Sequence, residues 1–460
     1  MFDSKLTRGP ILPAFLSFSL PIIVSCLFQQ LYNTADTVIV GHFLGEHSLA
    51  AIGACVAIFE LMVGFGLGFG NGLGIVVARA FGANDFDALK RTVAASLVIT
   101  AVVSVFITVS GCLFLDDLLR LLGTPEAIVC DSFAYIHLVA IFCSVLFAYN
   151  LLSGLLRAIG NSFMPLVFLI VSSLLNIALD VVFIRFCGLG VRGTALATVF
   201  AQAVSSLLCL VFIFRSAPVL IPARRHFSPD AHVYVDLVEQ GLSMALMSSL
   251  VCSGSVILQS SINSFGTMVI AGHIAARKLF SLSVIPIIAF GIACATFVSQ
   301  NLGARQFPRI RRGVTIANYL CVLWGILCTL VVPLCSRSLV SLMSGSSNSQ
   351  VLDYGANYIS FMQPFYAVLG VLIVTRNALQ GLGEKVLPLI SSVIELVGKI
   401  FFTLLVVPAL GIWGIILCEP LIWVVMTAQL LYVFWRHPDV RAGLGRRTVD
   451  IIRSKVARHV

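Results

Sequence analysis

The chain alternates long apolar runs with short polar, charged or Gly/Pro-rich breaks along its whole length. Divided at those breaks, the runs fall at 14–40, 50–77, 92–114, 131–156, 163–184, 193–215, 236–262, 269–298, 313–335, 353–379, 386–408 and 413–435. Each is long enough, at about 1.5 Å per helical residue, to cross a hydrocarbon core of about 30 Å. In lipid every backbone N–H and C=O must be paired within the protein, which leaves helices or a closed barrel. Uninterrupted Leu, Val, Ile and Phe lack the alternation that a barrel strand needs. The pattern predicts an all-α integral membrane protein of twelve transmembrane helices.

Composition fits that class: 59% of the 460 residues are hydrophobic and 11% charged, against about half and about a quarter in soluble domains. Lys5 and Arg8 precede an apolar stretch, 11–40, that is too long for the core of a cleavable signal and lacks a small-residue cleavage site. The first helix is therefore expected to be retained. The thirteen cysteines lie scattered in apolar runs with no CxxC pair. Even Cys321, Cys328 and Cys335, at heptad spacing, read as packing residues rather than ligands or disulfides.

Lys and Arg are sparse in the connections that follow odd-numbered helices. They cluster in those that follow even-numbered ones and at both ends, as in Arg79/Lys90/Arg91, Arg305/Arg309/Arg311/Arg312 and the tail from Arg436 to Arg458. By the positive-inside rule both termini are expected in the cytoplasm. This bias accounts for the net charge of +9, so no nucleic-acid partner is called for. Membrane lipids are the expected neighbours; the basic tail is expected to be solvated, with contact to anionic lipid as the alternative. Nothing in the pattern asks for a second copy, and a monomer is expected.

The sequence repeats itself. "ARAFGANDFDALKR" (78–91) matches "SQNLGARQFPRIRR" (299–312) at an offset of 221, "LLRAIGNSFMP" (155–165) matches "ALQGLGEKVLP" (378–388) at 223, and "GLGVRG" (188–193) matches "ALGIWG" (409–414) at 221. Three matches in order at one offset mark two copies of a six-helix unit. The organisation that follows is an N-terminal bundle (1–222), a cytoplasmic linker (223–235), a C-terminal bundle (236–436) and a basic cytoplasmic tail (437–460). Six is even, so the copies share an orientation and are related by a pseudo-two-fold axis along the membrane normal, with a central cleft between them. Two rigid bundles about a cleft have the geometry that secondary transport needs.

"GFGLGFGNGLG" (64–74) places glycine at every second position but lacks the Gly-Lys-Ser/Thr of a phosphate loop. At helical spacing it resolves into two rows, Gly64/Gly68/Gly72 and Gly66/Gly70/Gly74, which permit close packing on two faces. Pro21 and Pro286 are expected to kink their helices.

A charge at the bilayer centre costs about 2.5–3.5 kcal/mol on insertion scales, so each one needs a partner or a function. In the first half the clear cases are Asp36, Glu60 and Asp180. Asn176 and Asp180, at i and i+4, share a helix face, and Tyr32/Asp36, Asn150 and Thr198 are candidates to converge with them. Such an all-oxygen pocket suits a proton or a small hard cation such as Na⁺. Glu60 either lines the cavity or lies near an interface. The repeat maps Asn176 to Lys399, Asp180 to Thr403 and Thr198 to Glu419. Glu395 lies one turn before Lys399, so Glu395, Lys399 and Glu419 form a self-neutralising ion network whose role is structural or functional. Arg277 and Lys278 either snorkel outward or line the cleft. Asp131, Glu239 and Asp353 lie at span ends and read as interfacial, and His42, His47 and His273 as solvated outer-face residues.

"DTVIVG" (36–41), "GAND" (82–85), "LRAIGNSFMP" (156–165), "NIALDVVFI" (176–184), "GLGVRGTALAT" (188–198), "SQNLGA" (299–304) and "EPLIW" (419–423) resemble signatures of the multidrug and toxic compound extrusion (MATE) family, in its bacterial DinF-like branch. The resemblance covers nearly the whole chain. It implies a V-shaped pair of bundles in the bacterial inner membrane that exchanges H⁺ or Na⁺ for small organic, often cationic, compounds, with no other cofactor and no enzymatic activity. Residue by residue it implies that Asp36, Asn176, Asp180 and Thr198 hold the coupling ion, H⁺ or Na⁺, with Tyr32, Asn150 and Glu60 as cavity or supporting polar groups. The acidic site that some relatives carry in the seventh and tenth helices has only Glu239 and Asp353 here, both near span ends. A lipid-linked precursor flippase of the same superfamily is the alternative, kept open by Arg277, Lys278 and Lys399. An intramembrane enzyme is remote, since no HExxH, GxSxG or P-loop is present.

Overall fold

The computed structural model describes residues 6–121 and 123–442. Among them there is no strand, and nearly everything is helical. The first helical run, Ile11–Gly82, has 72 residues. At 1.5 Å each it would measure about 108 Å, several times a bilayer's hydrocarbon core. It is broken at Gly45 (φ 78, ψ −174), a backbone conformation that L side chains avoid. The break yields two spans, α1 (11–44) and α2 (46–82). The segment 41–49, expected as a loop, is thus helical on both sides of a single glycine.

The remaining spans are α3 (Phe86–Leu121), α4 (Glu126–Ile141 and Cys143–Ala158, bent by 48°), α5 (Phe163–Val181), α6 (Val191–Ser216), α7 (Ala231–Asn263), α8 (Thr267–Gly303), α9 (Phe307–Ser344), α10 (Ser349–Met362 and Tyr366–Gly381), α11 (Val386–Phe401) and α12 (Ile412–Arg436). Among the described residues ten helices are long and apolar enough to cross a membrane, eleven with the bent α4 pair, and the division at Gly45 makes twelve. Leu334, Phe186, Phe106 and Leu113 stand exposed on outer faces, as lipid-facing side chains do. Pro21 and Pro286 sit within continuous helices, and the backbone break in the first run is at Gly45 rather than at Pro21.

The duplication is written in the backbone. Among the described residues, ten of the twelve with positive φ fall in pairs one repeat apart, Gly45 and Gly266, Asn84 and Arg305, Gly123 and Gly345, Gly160 and Gly383, Gly190 and Gly411, with Gly9 and Gly188 unmatched. The fifth and eleventh helices widen into π-type turns at equivalent places, Val182–Phe186 and Phe402–Val406. The two halves also meet reciprocally. A Cβ on Gly82 would collide with the Gln300 carbonyl, and one on Gly303 with the Arg79 carbonyl. Both contacts pair the same two repeat positions, which is the signature of a two-fold axis running between them.

The glycine rows of α2 face two ways. Gly64, Gly68 and Gly72 lie against Ser248, Met244 and Gln240/Gly241 of α7 in the opposite half, while Gly66, Gly70 and Gly74 lie against Phe147, Asn150 and Gly154 of α4 in the same half. A Cβ on Gly72 would sit 2.7 Å from the Gln240 oxygen, so the small residues set how closely the halves approach. Polar seals between halves cluster at the end from which the chain enters α1. Ser299 Oγ donates to the Ile75 carbonyl (2.6 Å), Gln300 Nε2 to that of Ala158 (2.7 Å), and Arg309 to the carbonyls of Leu6, Arg8 and Gly9. Arg79 reaches Asp236 at 3.3 Å. The connection to α7 is pinned by His226 and Arg225 on Asp87, and Asp230 caps α7 by accepting from the His232 N–H. Most of the basic tail, from residue 443, lies outside the described residues.

Candidate functional site

Asp180 occupies the last turn of α5 before its π-type widening, a deviation that re-aims side chains. Its side chain is fully buried, with Asn176 one turn away at 1% exposure. From α1, the Asp36 carboxyl group faces that of Asp180. From α6, Thr198 receives a hydrogen bond from Asn176 Nδ2 at 3.4 Å and shares another with the Tyr32 hydroxyl. Asp36, Asn176, Asp180, Thr198 and Tyr32 are thus one cluster, drawn from three helices.

No donor of the chain, among the described residues, reaches Asp36 Oδ1, either oxygen of Asp180 or Asn176 Oδ1. Four buried acceptors without donors form an arrangement that is costly unless a cation or a proton is supplied. Two carboxylates facing each other in a low-dielectric site repel, so the pair favours a bound cation or proton. The donor set fits H⁺ and also fits Na⁺, which takes carboxylate, amide and hydroxyl oxygens.

Tyr135 of α4 also faces Asp36, Asp180 and Tyr32 and is 5% exposed. It is a member of the cluster that sequence reasoning missed, because a lone tyrosine in an apolar run carries no charge or periodicity signal. Asn150 stands apart from the acids: its Nδ2 donates to the Leu146 carbonyl (3.0 Å), and its backbone packs on Gly70. Below the cluster, a cavity of about 90 Å³ is lined by Tyr32, Asn150, Asn176 and Thr198. It shares Gln29, Asn33, Tyr149 and Asn150 with a central cavity of about 410 Å³ between the halves.

The second half carries ions where the first carries acids. Lys399 Nζ lies 2.9 Å from Glu395 Oε1 and 3.7 Å from Glu419 Oε1, and also meets Ser255 Oγ at 3.3 Å. Arg277 joins them, donating to both oxygens of Glu419 at 2.9 and 3.1 Å and lying over the Phe280 ring. Arg277 is therefore turned inward rather than snorkelling outward; the acid that captures it arrives from α12. Beyond it, Glu60 of α2 faces Arg277, and at the far end Arg376 of α10 faces Glu395. Charges alternate along Glu60, Arg277, Glu419, Lys399, Glu395 and Arg376, a neutral chain that begins in one half and runs into the other. Glu60 thus belongs to this chain and not to the acid pair.

Lys278 is exposed. His273 is 3% exposed and packs between Tyr354 and Tyr358, which corrects the expectation of a solvated position. The register of α8 that turns Arg277 toward Glu419 also turns His273, one turn earlier, inward. Among the described residues no group of three or more His, Cys, Asp or Glu is placed to hold a metal ion.

The MatE family model matches residues 21–182 and again residues 243–405, more than two thirds of the chain and once in each half. The chain belongs to the MatE family. Its two matched segments start 222 residues apart, which is the internal repeat. This MATE transporter is 26% identical over 388 residues to the probable multidrug resistance protein YoeA of Bacillus subtilis, covering 83% of each chain. It is 24% identical over 450 residues to an FAD transporter of Shewanella oneidensis, covering 94% of this chain and 96% of that one. Its fold matches an outward-facing structure of a multidrug resistance MATE family transporter of the MOP superfamily, with a TM-score of 0.88 at 23% identity over 96% of this chain and 98% of that chain. MATE proteins are transporters, not enzymes, and the chain is a multi-pass membrane protein of that kind.

Proposed function

We propose that this protein exports small organic compounds by alternating access, exchanging them for H⁺ or Na⁺ taken up at Asp36 and Asp180. The observation that carries this reading is the cluster of four donorless buried oxygens on α1 and α5, two helices that also wall the central cavity. Loading the ion neutralises the acid pair and lets α1 and α5 close on each other. Unloading restores repulsion between the carboxyls and pushes α1 back, reshaping the cavity through the shared residues Gln29, Asn33 and Tyr149.

The seals at the chain-entry end put the protein, on this reading, in an outward-open form. That end is then cytoplasmic, in keeping with the Lys and Arg bias, and the membrane is the bacterial inner membrane. A charge moving down a potential of 100 mV yields about 2.3 kcal/mol, enough to bias the exchange.

The relatives named above include a multidrug resistance protein and a transporter of FAD, so substrate class is not common to them. The flippase reading is weakened because Arg277 and Lys399 are neutralised within the ion chain, leaving no strongly cationic cavity for a pyrophosphate.

The test is substrate movement in proteoliposomes under an imposed pH or Na⁺ gradient, with wild type and Asp180→Asn. Gradient-driven movement in wild type, lost in Asp180→Asn while the variant still inserts, is expected. Undiminished movement in the variant would sink the proposal.

A further inference from the structure

The central cavity has two unlike walls. On α1, Ser25, Gln29 and Asn33 follow one another at four-residue spacing, and on α8 Phe280, Val284, Ile288 and Ile292 do the same. A polar stripe from one half thus faces an apolar stripe from the other across about 410 Å³. Such a space suits an amphiphilic molecule with a flat or aliphatic body and a polar head.

Between the polar wall and the cavity floor stands Arg157. Among the described residues it is the one charged side chain lining this cavity, and the same is true of the smaller cavity beneath it, shared with Asn71, Gly74, Met244 and Asn377. No acid among the described residues lines either space. The other intramembrane basic groups, Arg277, Lys399 and Arg376, each face a carboxylate. Arg157 is different: one Nη donates to the neutral Asn71 Oδ1 at 3.0 Å, and the ionisable groups that face it are Tyr149, Cys26 and Cys209. Its place in the last turn of α4 gives it the favourable end of a helix dipole, but that is a partial charge. A guanidinium with no counter-ion, open to a cavity and framed by amide and hydroxyl groups, asks for an anion.

We propose that the central cavity takes organic anions: compounds with an apolar body against α8 and a singly charged acidic head, such as a carboxylate, on Arg157. A permanent cation would have to bring its charge beside the guanidinium with no acid to receive it. The inference rests on the export reading and adds the substrate's charge to it. It also changes the energetics. Export of a monoanion against entry of one cation moves two positive charges inward per cycle, so an inside-negative potential accelerates it, whereas a one-for-one cation exchange is indifferent to potential.

The test uses two probes with one fluorophore and opposite charge, dansylglycine (anionic) and dansylcadaverine (cationic), titrated against the purified full-length protein. Wild type is expected to bind dansylglycine, Arg157→Gln to weaken it about tenfold or more, and Arg157→Lys to retain part of the affinity. Asn71→Asp, which leaves Arg157 in place but supplies it with an acid, is expected to weaken dansylglycine as well. That variant keeps the test decisive should Arg157→Gln fail to fold. Dansylcadaverine binding is expected not to fall in either. Preference of wild type for dansylcadaverine, absence of binding by both probes, or equal dansylglycine affinity in wild type and variants would overturn the inference. Arg157-dependent dansylglycine binding without movement under any ion gradient would leave this inference standing and remove the export reading. Gradient-driven dansylcadaverine export without dansylglycine binding would do the reverse.

Discussion

Asp36 and Asp180 bring their carboxyl groups together from helices α1 and α5, and neither Asp180 oxygen has a donor of the chain within reach among the described residues. The pair alone can hold a proton, whereas Na⁺ needs further oxygens around it. Thr198→Val and Asn176→Leu should therefore leave proton-driven transport within a fewfold of wild type while abolishing Na⁺-driven transport. Transport rates in proteoliposomes under each gradient separate the two. Equal loss under both would mean that the threonine and the amide act only in holding the helices.

The alternating chain from Glu60 to Arg376 is neutral as a whole, and its central members are nearly inaccessible, with Lys399 at 1% and Glu419 at 6% exposure. Removing one member strands another. Lys399→Ala should destabilise the second bundle by about 3–5 kcal/mol, read as a lower unfolding temperature in detergent. The double change Lys399→Met and Glu395→Gln, which keeps the chain neutral, should lose less than the single one, although it frees Arg376.

The Gly82 and Gly303 contacts with the Gln300 and Arg79 carbonyls leave no room for a Cβ. Gly82→Val should force the chain-entry end apart and shift the population toward the form open there. Distances between spin labels at the exposed repeat mates Asn84 and Arg305, on a background without native cysteines, are expected to lengthen. Unchanged distances would show that the contact is not a gate.

Lys385, in the turn between α10 and α11, meets Asp236 and Glu239 at 2.7 Å each. Burial alone would push its ammonium down, but the hydrogen bonds it donates to Asp236 and Glu239 outweigh that and raise it above its ordinary value. A raised lysine stabilises fully below its unfolded value and loses that contribution only as pH climbs through the raised one. The latch should thus be constant from pH 6 to about 9 and fail only in strong alkali. The difference in thermal stability between wild type and Lys385→Met, followed against pH, is expected to be flat over that window.

The helices were legible because lipid makes apolar length the dominant signal, and the repeat because short motifs survive around fixed turns. Asp36, Asn176, Asp180 and Thr198 stood out for the same reason: polarity in an apolar run is expensive. What stayed hidden depends on partners brought by other helices. Nothing in the sequence around Arg277 points to Glu419, 142 residues away, and nothing near Tyr135 points to Asp36. Arg157 was visible only as a letter in a motif, since its isolation from acids is a property of the packed cavity. The Gly45 break was masked by helix formers on both sides, so a span boundary passed for a nine-residue loop.

The seam where Gly82 and Gly303 interlock is built from the very stretches, 78–91 and 299–312, in which the two copies still read alike. Surfaces that touch their own duplicate must change together, so a substitution on one lip is a defect on both. Elsewhere each copy could drift alone. One was free to keep a bare acid, Asp180, on α5 while the other took Thr403 at the equivalent place and a lysine where Asn176 stands, and the protein became a lopsided machine hung on a symmetrical hinge.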